Sequence, residues 1–333
     1  AEATEAEATE TESTGGAMVT PTQEEEEESS PTTGGTGMAG DWDTMEFDYG
    51  SLSGEINIDG SSTVFPITSA VAEEFNAEAQ DVQVTVGVSG TGGGFEKFCA
   101  GETAISNASR PIKDEEAAVC EAEGIEFTEV QVAIDGLSVV VSPENAWVDC
   151  ITVEELNAIW APESTVTTWA DVNPEWPEEQ IELYGPGTDS GTFDYFTAEI
   201  NGEEGASRSD YTASEDDNVL VTGVTGSQYA LGYFGYAYFV ENEDSLKALA
   251  IDGGEGCVEP NPETVASGEY APLSRPIFVY VRNDAMEEEQ VAAFMHFMLS
   301  DGAQAVVPEV GYIQMGEDVL EAQRAAILPL LPQ

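Results

Sequence analysis

From about residue 54 onward, short apolar runs alternate with segments of helical spacing, and Gly- or Ser-rich turns separate the two. Residues 54–63 ("GEINIDGSST") predict a strand that ends in a glycine turn, and residues 66–79 ("PITSAVAEEFNAEA") predict a helix that begins near its proline. The same order of strand, turn and helix recurs within residues 82–124, where Gly124 is placed to end a helix. This alternation predicts parallel βαβ units and an α/β fold class.

Two long apolar strands, near residues 130–142 and 273–282, are expected to carry the chain between two α/β lobes. Lobe 1 is then formed by residues 51–140 and 273–333, and residues 141–272 form lobe 2 as an insertion. This organisation predicts two mixed-sheet lobes that are joined by a two-strand hinge and separated by a cleft.

Residues 1–50 differ in kind from the rest of the chain. They consist mainly of Thr, Glu, Gly and Pro, and no Lys or Arg occurs before Lys97. Like charges without apolar periodicity predict a disordered spacer. We expect the spacer to hold the folded part off a membrane surface through a lipid anchor. The chain contains neither an apolar run long enough to cross a bilayer nor a signal-peptide core.

The charge balance is strongly acidic, because 66 Asp and Glu stand against 8 Lys and Arg, a formal net charge of −58. Apolar residues still make up 41% of the chain, so a folded core is expected. Repulsion disfavours nucleic acid and anionic lipid as partners. At 1 M salt the Debye length is only about 3 Å, which screens the carboxylates from one another. The composition therefore indicates a protein from a halophile.

The four cysteines, Cys99, Cys120, Cys150 and Cys257, show no zinc-ligand spacing and stand beside a single histidine, His296. Two disulfides and an extracytoplasmic location are the favoured interpretation, although four cysteines allow three connectivities. Cys99–Cys120 and Cys150–Cys257 are preferred, because each pair falls within one predicted lobe.

Four turns carry side chains that suit an anion. Hydroxyl groups and backbone N–H groups at the start of a helix bind negative charge, and ligands of open α/β sheets lie at the carboxyl ends of strands. Taken singly, such turns are ordinary helix caps; their recurrence beside an arginine favours a binding site. The turns contain Ser61, Ser62 and Thr63; Ser89 and Thr91; Ser109 and Arg110; and Ser190, Gly191 and Thr192.

The stretches "DGSSTVFPITSAVAEEF", "VSGTGGGFEKFCAGETAISNASRPIK" and "YGPGTDSGTFDYF" resemble the phosphate-binding receptors of ABC importers, and the resemblance covers residues 54–333. It implies a type II periplasmic-binding-protein fold, inorganic phosphate as ligand and the membrane subunits of an ABC permease as partners. It also implies a set of ligand-binding residues, which are Ser62, Thr63, Val64, Phe65, Ser89, Thr91, Ser190, Gly191 and Thr192.

The chain departs from the family pattern at two positions. Ser109 stands where many relatives have an Asp that accepts the phosphate proton, and Pro186 stands where many have an Arg. We expect Arg110 to replace that cation and Asp189 to replace that acceptor. A hydroxyl of Ser109 or Thr91 is a weaker alternative acceptor, and phosphate is expected to be preferred to sulfate.

Other functions remain as alternatives. Another oxyanion, such as sulfate or molybdate, would suit the same turns. A secreted phosphatase-like hydrolase is less favoured, because the single histidine lies in "FMHFM" at helical spacing, which predicts a packed helix residue rather than a catalytic base. The aromatic run "YALGYFGYAYF" reads as a core strand rather than a sugar-stacking surface, and a purely structural protein would not need the anion turns. We expect a monomeric binding protein without catalytic activity, cofactor or metal.

Overall fold

The alternation of strands and helices is retained in a computed structural model, which describes residues 42–188 and 190–332, with the backbone alone at Asp43. The strands of this part of the chain are β1 Ser53–Gly60, β2 Asp81–Val86, β3 Ile105–Ala108, β4 Phe127–Val141, β5 Cys150–Thr152, β6 Glu182–Gly185, β7 Thr212–Ala213, β8 Ala230–Gly235, β9 Lys247–Ala248, β10 Ala250–Asp252, β11 Cys257–Val258 and β12 Ser274–Arg282.

The α-helices of the described residues follow the strands in the predicted order, and short 3-10 helices occur at Trp42–Thr44, Tyr49–Ser51, Ala285–Glu287, Pro308–Val310 and Leu328–Leu330. The α-helices are α1 Phe65–Glu78, α2 Gly90–Cys99, α3 Asp114–Glu123, α4 Val153–Trp160, α5 Trp169–Val172, α6 Gly191–Asn201, α7 Asp217–Thr225, α8 Tyr236–Glu241, α9 Pro262–Ser267, α10 Glu289–Met298, α11 Asp301–Gln304 and α12 Glu317–Ile327.

Local sequence signals place the helix ends. Pro66 lies in the first turn of α1, where its missing N–H has no intrahelical partner to lose. Gly124 ends α3 in the left-handed conformation, at φ 74°, as its position in the sequence predicts. Thr152 caps α4 by accepting a hydrogen bond from the backbone N–H of Glu155 at 3.0 Å.

The main sheet is mixed, with strand order β2-β1-β3-β12-β4-β8-β6-β7 and β9 added beside β4. β1 pairs in parallel with β2 and β3, whereas β12 pairs antiparallel with β3 and β4. The long strand β4 changes partner along its length, because residues 127–136 pair with β12 and residues 137–141 pair with β8. β4 is therefore shared by the two halves of the sheet, and a small separate sheet has the order β11-β10-β5.

The apolar interior divides where β4 changes partner. The first core draws its buried residues from residues 52–133 and 277–331 and includes Phe75 and Phe294. The second draws them from residues 134–273 and includes Trp160. The aromatic run contributes β8, whose Tyr233 is fully buried in the second core and whose Phe234 is fully buried in a neighbouring apolar cluster, as the core-strand interpretation predicts. Both cores belong to one compact unit.

The predicted spacer differs from the structure at its C-terminal end. Trp42, Met45, Phe47 and Tyr49 pack against the first core, and the ring of Trp42 stacks on that of His296 at 4.4 Å between centroids. The expectation that the unpacked segment extends to residue 50 is therefore wrong for residues 42–50, whose aromatic side chains bury apolar surface. Residues 1–41 lie outside the described part of the chain.

Both preferred disulfides are present. Cys99–Cys120 joins α2 to α3, and Cys150–Cys257 joins β5 to β11. The first pair is fully buried, and Cys257 of the second is exposed. Among the described residues, no helix has the length and apolar character needed to cross a membrane.

Candidate functional site

The predicted anion turns lie at neighbouring strand ends. Because β1 pairs in parallel with β2 and β3, the carboxyl ends of these three strands meet at one edge of the sheet. Thr91 and Ser109, which follow β2 and β3, lie against each other with 3.0 Å between their hydroxyl oxygens. The backbone N–H of Ser109 also donates to Oγ1 of Thr91, at 3.2 Å. The second and fourth turns thus form one polar surface.

The first turn contributes only part of what the sequence predicts. Ser62 and Thr63 line a cavity at this edge of the sheet. The side chain of Val64 is fully buried in the first core. The backbone N–H of Phe65 donates to the carbonyl oxygen of Ser61 at 3.1 Å, so it is already used within the protein. The hydroxyl residues of this turn therefore reach the cavity, whereas Val64 serves packing.

The turn before α6 packs directly against the turn before α1. Ser190 caps α6 by accepting a hydrogen bond from the backbone N–H of Thr192 at 3.2 Å. A Cβ atom on Gly191 would lie 2.9 Å from the Cα atom of Thr63, closer than a real Cβ atom approaches backbone. Glycine at this position therefore allows the turn before α6 to contact the turn before α1.

Five hydroxyl residues of the predicted turns line a small cavity of about 30 Å³, which are Ser61, Ser62, Thr63, Thr91 and Ser109. A water molecule needs roughly 10–15 Å³ by this measure, so the space suits a small ion and excludes a sugar or a peptide. A larger cavity of about 390 Å³ adjoins it at Ser62.

The large cavity is lined by the turn before α6 and is acidic. Its lining includes Phe65, Ser190, Gly191 and Thr192. The sequence analysis had predicted that these residues form one anion site with the other turns. Burial raises the pKa of Asp217, which also lines this cavity, to about 6, and the neighbouring charges of Asp216 and Glu215 act in the same direction. An anion is therefore better placed in the small cavity than in the large one.

The cation at the small cavity is Arg275, which the sequence interpretation missed. Arg275 lines the cavity from β12, and its guanidinium lies 3.5 Å from the centre of the Tyr195 ring. Its Nε and Nη2 groups donate to Oδ2 of Asp135 on β4 at 3.4 and 3.3 Å. Among the described residues, Nη1 of Arg275 has no protein partner, so its N–H groups are available to a bound anion.

Asp135 holds Arg275 from a buried position. The two residues are register partners on β4 and β12, and Asp135 is 5% exposed. Burial raises the pKa of Asp135, and the charge of Arg275 opposes that change. Sequence reasoning had a signal for this pair, since the two predicted connecting strands carry Asp135 and Arg275 within their apolar runs.

Two predicted ligands are engaged elsewhere. The guanidinium of Arg110 forms a bidentate pair with Glu116, with both N–O distances at 2.8 Å, and Arg110 is not among the residues that line the small cavity. The hydroxyl of Ser89 donates to Asp59, which also pairs with Lys97 at 2.6 Å. Arg110 and Ser89 as anion ligands thus stay predictions that require these contacts to break.

Two carboxylates also line the small cavity, and neither was predicted. Asp194 lies in the first turn of α6 and accepts a hydrogen bond from the Ser62 hydroxyl at 3.4 Å. Glu204 is exposed in the loop after α6. Burial raises the pKa of Asp194, and the charge of Glu204 adds to the rise, while Ser62 and Arg275 oppose it. Asp189, the predicted acceptor, lies outside the described residues.

A model of the PBP superfamily domain matches residues 8–302. The chain belongs to the PBP superfamily. Among proteins of this kind, Protein SphX of Synechocystis is 47% identical over 269 residues, which cover 80% of this chain and 80% of that protein. The phosphate-binding protein PstS of Staphylococcus saprophyticus is 39% identical over 80% of this chain and 82% of its own length. These similarities place the chain among the PstS-like members of the superfamily.

Solved structures agree with this assignment. A possible phosphate binding protein from Planctomyces limnophilus is 52% identical, with a TM-score of 0.82 over 85% of this chain and 100% of that one. A putative phosphate ABC transporter substrate-binding protein from Clostridium perfringens, solved with bound phosphate, is 26% identical, with a TM-score of 0.54 over 79% of this chain and 100% of that one. The two-lobed PBP fold predicted from the sequence is confirmed.

Proposed function

We propose that the protein is an extracytoplasmic binding protein that captures inorganic phosphate in the small cavity and delivers it to an ABC permease. The observation that carries this proposal is the junction of hydroxyl residues from three turns with Arg275 around about 30 Å³ of space. Hydrogen bonds to a charged group contribute about 1.5–3 kcal/mol each, so a few of them hold a small anion despite the net charge. The names of the similar proteins support phosphate as the anion.

The same proposal includes the organisation of the chain. We assign residues 51–140 and 273–333 to one lobe and residues 141–272 to the other, which the two apolar cores support. Ligand capture between two such lobes requires a flexible connection. We assign this connection to β4 and to the segment just before β12, where the chain returns to the first lobe. Two disulfides support an extracytoplasmic location. Attachment through a lipid anchor and the monomeric state belong to the proposal as well.

Binding is favoured over hydrolysis. Among the described residues, no group of three metal-binding side chains is present, and His296 packs on Trp42 within the first core rather than at the small cavity. Serine nucleophiles need a base within hydrogen-bond reach. The hydroxyl residues of the cavity are therefore better suited to hold an anion than to attack one.

Titration calorimetry with inorganic phosphate at molar NaCl tests the proposal. The wild type is expected to bind phosphate, and a variant that neutralises Arg275 is expected to lose roughly tenfold to hundredfold in affinity, the equivalent of about 1.5–3 kcal/mol. Because Arg275→Gln alone leaves Asp135 buried without its cation, the double variant Asp135→Asn/Arg275→Gln is the better test.

Arg110→Gln provides the matched comparison, because it removes the cation that the sequence favoured. Affinity that falls in the double variant and persists in Arg110→Gln supports the proposed site. Affinity that falls only in Arg110→Gln would instead restore the sequence-based assignment. A wild type that binds neither phosphate nor another oxyanion contradicts the proposed function.

A further inference from the structure

Ile313 joins the C-terminal part of the chain to the strand that the two halves of the sheet share. The backbone N–H of Ile134 on β4 donates to the carbonyl oxygen of Ile313 at 2.9 Å, and the N–H of Ile313 donates to the carbonyl oxygen of Ile134 at 3.0 Å. Ile134 directly precedes Asp135, which holds Arg275, and lies close to the point where β4 passes from β12 to β8. Ile313 is therefore fixed beside the crossing between the two cores.

The residues around this bridge contact both halves of the protein. Tyr312 packs against the first core, whereas its neighbour Ile313 packs against the second. Gly311 lies beside α8, since a Cβ atom on it would be 3.8 Å from the ring of Tyr238. Residues 311–313 thus connect the two cores by contacts, in addition to the two places where the chain itself passes between them.

The hydroxyl of Tyr312 reaches the turn before α1. It donates to the backbone carbonyl oxygen of Thr63 at 2.6 Å. Pro66 has no N–H with which to serve this carbonyl, and no other donor to it is present in the part of the chain that the structure describes. The side chain of Thr63 lines the small cavity, and its Cα atom is the one that a Cβ atom on Gly191 would meet. The backbone of this turn is therefore held between α6 and Tyr312.

The surroundings of Tyr312 keep its hydroxyl a hydrogen-bond donor. Burial raises its pKa, and the charge of Asp135 adds to the rise, against the opposing charge of Arg275. The hydroxyl is therefore protonated at neutral and moderately alkaline pH. The same effects place Tyr312 near the ion pair that supplies the cation of the small cavity.

We propose that residues 311–313 form a third link between the two lobes, and that Tyr312 uses this link to position the turn before α1 around the anion when the lobes are closed. The inference rests on the proposed function, since it concerns capture of phosphate in the small cavity. Tyr312 is a positioning residue, because it acts through the backbone of Thr63. Phosphate first meets the open cleft, and a bond that holds the turn in its closed geometry slows release without changing that encounter.

Release of radiolabelled inorganic phosphate into an excess of unlabelled phosphate, at molar NaCl, measures the dissociation rate constant. Equilibrium dialysis gives the dissociation constant, and the ratio of the two gives the association rate constant. Tyr312→Phe keeps the ring and removes the hydroxyl, which leaves the carbonyl oxygen of Thr63 without its donor. This variant is expected to raise the dissociation rate constant by roughly tenfold and to leave the association rate constant within about twofold of the wild-type value.

A second variant and a matched control accompany Tyr312→Phe. Ile313→Ala withdraws side-chain packing from the second core and leaves the turn before α1 unchanged, so its dissociation rate constant is expected to rise as well. It decides the question if Tyr312→Phe does not fold. Tyr238→Phe removes a hydroxyl from the lining of the large cavity, and among the described residues that hydroxyl has no protein partner. Its rate constants are expected to equal those of the wild type.

The outcomes separate the inference from the proposed function. A wild-type dissociation rate constant in either folded variant, Tyr312→Phe or Ile313→Ala, overturns the inference alone. So does an affinity loss that lies wholly in the association rate constant, because the turn would then be disordered before closure as well. An equal rise in Tyr238→Phe contradicts the role of the bond to Thr63. A wild type that does not bind phosphate overturns the proposed function and the inference together.

Discussion

Gly191 shows how one missing side chain brings two turns together. A Cβ atom at this position would lie 2.9 Å from both the Cα and the Oγ1 atoms of Thr63, and backbone cannot yield as a flexible side chain does. The turn before α6 would then move away from the turn before α1, where Ser62 and Thr63 line the small cavity. The close contact between these two turns therefore requires that residue 191 has no side chain.

Gly191→Ala is therefore expected to weaken phosphate binding by about tenfold or more, the equivalent of about 1.4 kcal/mol. Gly92→Ala is the control, because the nearest atom outside its own helix to a Cβ atom on Gly92 would be a carboxylate oxygen of Glu116, at 3.9 Å, and alanine favours the helix that contains it. Equal affinities of the two variants in calorimetry would show that the close approach at Gly191 is not required.

His296 makes stability depend on pH. Burial lowers its pKa, the Trp42 backbone opposes this change in part, and the charge of Arg324 adds a smaller lowering effect. The unfolded chain then takes up the proton first as pH falls. The contribution of His296 to the free energy of unfolding is accordingly intact above about pH 6.5 and is lost as pH falls below that value.

We expect the wild type to lose more stability than His296→Gln when pH is lowered through this window. Chemical denaturation of both proteins at several pH values, at constant molar salt, measures the difference. Taking the difference between the two proteins removes the shared contribution of the many carboxylates. Parallel pH profiles would contradict the prediction.

Each of the two disulfides joins two secondary-structure elements, and the two bonds differ in their exposure to solvent. Cys99–Cys120 joins α2 to α3 with both residues buried, and Cys150–Cys257 joins β5 to β11 at the surface. A reductant reaches an exposed sulfur before a buried one. The second bond closes a loop with a sequence separation of 107 residues, against 21 for the first.

Dithiothreitol is therefore expected to reduce Cys150–Cys257 first in the native protein, as alkylation and peptide mass mapping would show. Loop closure predicts that its loss lowers the free energy of unfolding by about 5 kcal/mol, against about 3 kcal/mol for the shorter loop. Cys150→Ala/Cys257→Ala is the matched variant for the stability measurement. Earlier reduction of Cys99–Cys120 would refute the expected order.

At the scale of the whole molecule, the net charge of −58 governs stability in dilute buffer. Seven of the eight basic residues already pair with a carboxylate, so most of the acidic side chains rely on solvent ions. Self-repulsion destabilises the compact state when the Debye length grows to about 10 Å at 0.1 M salt.

The melting temperature is expected to fall steadily as NaCl is diluted from molar to millimolar concentrations. Sucrose, which is excluded from protein surfaces but does not screen charge, is expected to restore little of this loss. Differential scanning calorimetry across both series measures the contrast. A melting temperature independent of salt would contradict the halophilic interpretation of the composition.

Strand and helix order, helix ends, the excess of acidic charge and the Thr91–Ser109 turns were all accessible from the sequence. Each depends on interactions between near neighbours: a cap acts over three residues, a helix period over four, and parallel strands bring their carboxyl ends to one edge. The connecting strands could be predicted for the same reason, since their apolar runs are long and continuous. So could the preferred cysteine pairs, because lobe assignment follows from the order of elements.

Only the tertiary structure decided which charges meet. Arg275 and Asp135 are 140 residues apart in sequence, and Ser62 and Asp194 are 132 apart. Arg110, in contrast, pairs with Glu116 six residues away, although its own turn pointed to the anion site. Local patterns fix backbone hydrogen bonds, but a side chain takes whichever partner the packed elements bring within about 3 Å. For that reason the sequence determined the turns of this site, and the packing of β4, β12 and α6 decided its cation and its carboxylate.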